Sequence, residues 1–172
     1  MAKIVSGRMT HHHDGELVVF HVGMTINRWL RPDLWWPVAR LMPPMLRELS
    51  QDPDSGLLGY EMLLNARGPH IVQYWSSIDR LYDYASATSL SHRPAWTRFN
   101  AMARRNPDAV GIWHETHVVE RAESVYVGTP VMGLPAATAL RPVEKHHHRA
   151  RARLADGATT APEDARSHPR ER

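Results

Sequence analysis

Between Ser91 and Val119 a helical hydrophobic pattern gives way to an alternating one, and chemistry-bearing side chains sit on both halves. His92, Trp96, Phe99 and Ala103 recur at helical spacing and so share one face. Ser91 is placed to cap that helix, and Pro94 falls in its first turn, where a missing N–H costs nothing. Asn106-Pro107-Asp108 breaks it. The next residues are β-branched and aromatic, as in a strand. Alternation puts Ile112, His114 and Thr116 on one face and Trp113, Glu115 and His117 on the other. The stretch thus reads as a helix followed at once by a strand, with an imidazole beside an indole on the one and Trp-His-Glu on the other.

The rest of the chain follows the same logic. Leu17 to Ile26 predicts a strand, with Val18, Phe20, Val22, Met24 and Ile26 on one face. His21, Gly23, Thr25 and Asn27 lie on the other, and Gly23 leaves space beside the backbone. Arg31-Pro32-Asp33 opens a helix that Pro43 and Pro44 should kink or restart, opening space on the adjacent sheet face. Leu57 to Leu64 and His70 to Trp75 predict an antiparallel hairpin around a loop of about five residues. Ser76 or Ser77 caps the next helix, which leads through Ser86–Leu90 to His92. Strand, helix, strand, strand, helix pair, strand is the plan of an α+β fold, a ferredoxin-like four-stranded antiparallel sheet with helices on one face. The strands are apolar on both faces, so a second copy of the chain is expected over the bare face, as a homodimer.

Composition bounds the remainder. The 172 residues suggest one domain with tails. Residues 1–15 read as a disordered N-terminal tail, with His11-His12-His13 a weak metal-binding candidate; 16–122 read as the barrel domain. Residues 123–143 read as an ordered C-terminal arm and 144–172 as a disordered basic tail, too poor in apolar residues to form a core. The absence of Cys removes thiolate nucleophiles, disulfides and Cys-ligated metals. A net charge of +3 without a basic patch argues against nucleic acid. No apolar run approaches the roughly 18 residues of a membrane span and no secretory leader is evident, so no membrane partner and a cytoplasmic setting are expected.

Several motifs recur together: Val18 to Asn27 (Val-Val-Phe-x-Val-Gly-Met-x-Ile-Asn), Gln73-Tyr-Trp-x-Ser77, His92-x-x-Ala-Trp96 and Gly111-Ile-Trp-His-Glu-Thr116. With Tyr126-Val127, Pro130 and Gly133-Leu134, they resemble a small monooxygenase-like family, that of the fumagillin-pathway polyketide monooxygenase, over roughly Leu17 to Thr138. Its wider relatives are the dimeric α+β barrels: antibiotic-biosynthesis monooxygenases, haem-degrading monooxygenases and aldoxime-dehydratase-like proteins. The resemblance implies that fold and, less directly, oxygenase chemistry. His21 departs from an expected aliphatic residue and Thr25 from an expected Arg.

His92 is the leading candidate for a general base, with His114 and Glu115 as the other candidate catalytic groups. As neighbours on a strand, His114 and Glu115 point to opposite faces, and His114 is expected in the cavity. Asn27 and Gln73 are candidate polar contacts to substrate; Trp75, Tyr84, Trp96 and Trp113 are candidate walls, with core packing as the ordinary alternative. The leading expectation is cofactor-free: His92 removes a proton from an aromatic or polyketide-type molecule, and the anion reacts with dioxygen. A non-covalent haem b with His92 or His114 as axial ligand is the second, and a non-catalytic small-molecule-binding dimer the third.

Overall fold

The computed structural model describes residues 2–88 and 90–157. In chain order the elements are β1 (Arg8–His12), β2 (Leu17–Ile26), α1 (Pro32–Ala39), α2 (Met42–Gln51), β3 (Leu57–Asn65), β4 (Gly68–Trp75), α3 (Ile78–Ser86) and α4 (His92–Arg105). There follow β5 (Val110–Val119), β6 (Tyr126–Val127), α5 (Leu134–Ala137), β7 (Ala139–Pro142), a 3₁₀ turn (Lys145–His147) and α6 (Ala150–Asp156). They divide into two compact units: Val19–His117, and the described parts of Met1–Val18 with Val118–Arg172.

In the first unit the sheet runs β3-β4-β2-β5. β3 and β4 are antiparallel neighbours, with Asn65 opposite Gly68. At the end of β2 the Ile26 N–H donates to Arg67 O (2.6 Å), and the Asn27 N–H donates to Ala109 O (3.0 Å). The starts of β4 and β5 therefore meet the end of β2, and both run against it. This is the ferredoxin-like α+β sheet that the element order predicts. Met24, Ile26, Val38, Ala109 and Val110 form a buried cluster, with Leu34, Trp35, Phe99, Met102 and Ile112 packed on it. The sheet thus buries one face against α1 and α4.

Local chemistry sets the joints. The helix after β2 does restart: α1 stops at Ala39, and Pro43 and Pro44 occupy the first turn of α2, where no intrahelical N–H bond is lost. The β3–β4 connection is tighter than the five-residue loop expected, with only Ala66 and Arg67 between the strands. The reason is Asn65, whose Oδ1 accepts from the N–H groups of Arg67 (2.7 Å) and Gly68 (3.2 Å). Gly68 adopts φ +142, and a Cβ there would lie 2.4 Å from Met24 O, so only glycine lets the strands close so soon. Ser77 caps α3, its Oγ accepting from the Arg80 N–H at 3.1 Å. Ser91 does not cap α4.

The second unit has ordered elements at Arg8–His12 and Ala150–Asp156, where the sequence reads as disordered tail. Arg8–His12 is a strand, central in a sheet of order β6-β1-β7, with Met9 opposite both Tyr126 and Pro142. Thr10 and His11 are buried although polar, because Ser124 serves them: its Oγ accepts from the His11 N–H (3.1 Å) and bonds His11 Nδ1 (2.8 Å). The arm at 123–143 is the rest of this sheet, with α5. Within 144–172, α6 is ordered by Arg153, 8% exposed, whose guanidinium donates to Glu123 Oε2 (2.9 Å) and to the carbonyls of His147 and His148 (2.9 Å each). The tail expectation for 158–172 lies outside the described residues. Among the described residues no helix is long and apolar enough to cross a membrane.

Candidate active site

Between the helices and the sheet of the first unit lies a cavity of about 370 Å³. Its floor is Phe20, Val22 and Met24 from β2, Ile71, Gln73 and Trp75 from β4, and Ile112 and His114 from β5. These are alternate residues of each strand, which all face the same way. Its roof comes from the restart at Arg40–Leu41, from Met45 and Leu49 of α2, from Leu81, Tyr84 and Ala85 of α3, and from His92, Ala95, Trp96 and Phe99 of α4. Trp36, Trp96 and Met62 line it and are also 54%, 49% and 58% exposed, which places them at its mouth. Trp96, a candidate wall with core packing as its alternative, stands at the rim.

The polar groups are few. His92 Nδ1 lies 3.0 Å from Ala85 O. A carbonyl can only accept, so Nδ1 carries the proton, and in the neutral ring Nε2 holds the lone pair. The Tyr84 ring stands 5.9 Å from that of His92 and 6.1 Å from that of Trp75. Burial, helped by the Glu48 carboxylate, pushes the Tyr84 phenol far above its usual range, so it stays protonated; its hydroxyl is buried with no partner among the described residues. Trp75 is fully buried, and its Nε1–H donates to Oε1 of the buried Gln73 at 3.0 Å. His114 is exposed and lines the cavity from β5, its ring 5.5 Å from Phe20.

The structure therefore brings His92, His114, Gln73, Trp75, Tyr84 and Trp96 together and leaves three expected site residues out. Asn27 is exposed past the end of β2, where its backbone, not its amide, is bonded. Trp113 lies on the opposite face of the sheet, across Gly23: a Cβ on that glycine would come within 2.4 Å of the indole. The space at Gly23 is close packing, not room for a ligand. Glu115 is exposed on that same opposite face, 3.7 Å from His117 Nε2. Two contributors went unseen in the sequence, Glu48 and the Ala85 carbonyl. Both Glu48 carboxylate oxygens accept from the Ser91 N–H at 3.2 Å, and Oε2 also takes the Ser91 hydroxyl. No local pattern announces a bond that spans 43 residues.

A haem fits this lining poorly. The cavity residues include one guanidinium, Arg40, for two propionates, and the other polar groups are imidazoles, the Gln73 amide and the Tyr84 phenol.

The fold and site define a ferredoxin-like α+β protein with an apolar helix–sheet cavity and imidazoles at its edge. Residues 17–134 match the family described as monooxygenase af470-like, and the chain belongs to that family. No functionally curated protein matches the chain. Among solved structures it is similar to SnoaB of Streptomyces nogalater, described as a cofactor-independent oxygenase (14% identity, 63% of this chain and 97% of that one, TM-score 0.42). It is also similar to a possible oxidoreductase of Bacteroides thetaiotaomicron (11%, 61% and 99%, TM-score 0.41) and a dimeric ferredoxin-like protein of Bacteroides fragilis (12%, 60% and 96%, TM-score 0.43).

Proposed function

We propose that the protein is a cofactor-free oxygenase that oxidises an aromatic or polyketide-type molecule in the helix–sheet cavity, with His92 as base. The observation that carries this is the tie of His92 Nδ1 to Ala85 O, which leaves Nε2 as the acceptor of a proton at the edge of a largely apolar chamber. The substrate is an apolar ring system with an acidic C–H or O–H. Nε2 takes its proton, and the carbanion or enolate reacts with dioxygen to form a C–O bond. The peroxide then collects a proton and loses water, so that CH₂ and O₂ become C=O and H₂O with no outside reductant. Gln73 supplies amide N–H donors to the oxyanion. His114, on the floor, is the alternative base. The working form is a homodimer that packs through the sheet face opposite the helices, and the setting is the cytoplasm.

The test is oxygen uptake by the tag-free chain on a panel of anthrone-like and phenolic polyketides. General-base assistance is worth about 10²–10⁴ in rate, so His92→Ala should lower turnover on that scale. Loss in His114→Ala with full activity in His92→Ala would move the base to β5. Full activity in both would end the acid–base reading, and a Soret band lost in either variant would replace it with haem chemistry. Sedimentation as a monomer at micromolar concentration would remove the dimer.

A further inference from the structure

The second unit carries a cluster unrelated to the cavity chemistry. Glu144, His146 and His147 each offer one ligand atom, and these three atoms lie within 4.8 Å of one another. We propose that they bind one divalent transition-metal ion, and that the ion is zinc.

The first argument is the donor set. Two imidazoles and a carboxylate are a borderline set that suits zinc better than calcium or magnesium, which take oxygen ligands. Zinc holds nitrogen and oxygen at about 2.0–2.2 Å, so atoms already within 4.8 Å of one another need to close only a little around it. Water completes the tetrahedron. The His146 Nδ1 already stands 3.5 Å from Glu144 Oε2, and the His146 and His147 rings lie 3.9 Å apart between centroids.

The second argument is the frame. The turn is not a loose surface run. Arg153, buried on α6, donates to the carbonyls of His147 and His148 at 2.9 Å each and is itself anchored on Glu123. Asp156 Oδ2 lies 2.6 Å from His147 Nε2 and orients that ring, as carboxylates do behind metal-ligating histidines. Arg141 stands 3.7 Å from the same Asp156 oxygen. The backbone of the turn and one of its rings are thus fixed before any ion arrives, which lowers the entropy cost of binding. The ion would staple the turn and, through Asp156 and Arg153, the helix behind it.

The experiment is calorimetric titration of the chelator-stripped, tag-free full chain with Zn²⁺ alone. One equivalent should bind, with the dissociation constant raised at least tenfold in H146A/H147A and unchanged in H12A/H13A. Zn²⁺ should raise the melting temperature of the wild type but not that of Glu144→Gln, and circular dichroism checks that each variant is folded. Absence of saturable binding, binding unchanged in H146A/H147A, or binding abolished in H12A/H13A would each overturn the assignment.

Discussion

Glu48 grips Ser91: the α2 carboxylate accepts both the backbone N–H and the hydroxyl of the residue just before α4. That residue precedes His92, so a side chain on one helix sets where the imidazole of another begins. Glu48 is a positioning residue. Glu48→Ala should loosen the first turn of α4, cost about 1–2 kcal/mol, and lower kcat about tenfold with little change in KM. Glu48→Gln, which keeps an acceptor, should recover part of the rate. A loss of stability with kcat intact would reduce Glu48 to scaffolding.

Gly23 and Trp113 are expected to behave as one unit. Gly23→Ala drives a methyl into the indole and should destabilise by about 1–3 kcal/mol in urea titrations. Adding Trp113→Val should return part of that loss, since it removes the obstruction. Two additive penalties would contradict the packing.

Tyr84→Phe removes a buried hydroxyl that has no partner among the described residues. Stability should rise by about 1 kcal/mol, because a buried unpaired polar group is costly. Turnover is the informative second reading: unchanged rates would make Tyr84 a wall, whereas a large fall would show that the hydroxyl meets the substrate.

His21 predicts an acid sensitivity. Burial, then the His117 and His70 rings, pull its pKa below the ordinary value, with Glu115 opposing. The unfolded chain therefore takes up a proton that the folded chain resists. Full stability holds above about pH 6.5 and falls as the pH drops through and below that value. His21→Leu should flatten the difference between urea midpoints at pH 7.5 and 5. An identical slope would mean that the loss comes from other groups, the buried and likewise depressed His11 among them.

Much of the first unit was legible because its signals are local. Alternation in Val110–Val119 puts Ile112 and His114 on one face and Trp113 on the other, and Pro43-Pro44 announces a helix restart that helps shape the cavity. Asn27 misled because a strand's face can be read without knowing where the strand ends. The second unit was illegible for a different reason. Thr10 and His11 are not apolar, and their burial depends on Ser124, more than a hundred residues on. Arg153 likewise looks like any arginine in a basic run until Glu123 is set against it.

The pairing of Met9 with Pro142 has a consequence for biosynthesis. β1 leaves the ribosome more than a hundred residues ahead of either of its neighbours, β6 and β7. At about 5–20 residues per second it waits on the order of ten seconds with both edges open. During that interval it is exposed to chaperones, proteases and the same strand on other nascent chains. Closing so long a loop is also intrinsically slow. Vulnerability during synthesis is therefore concentrated in β1.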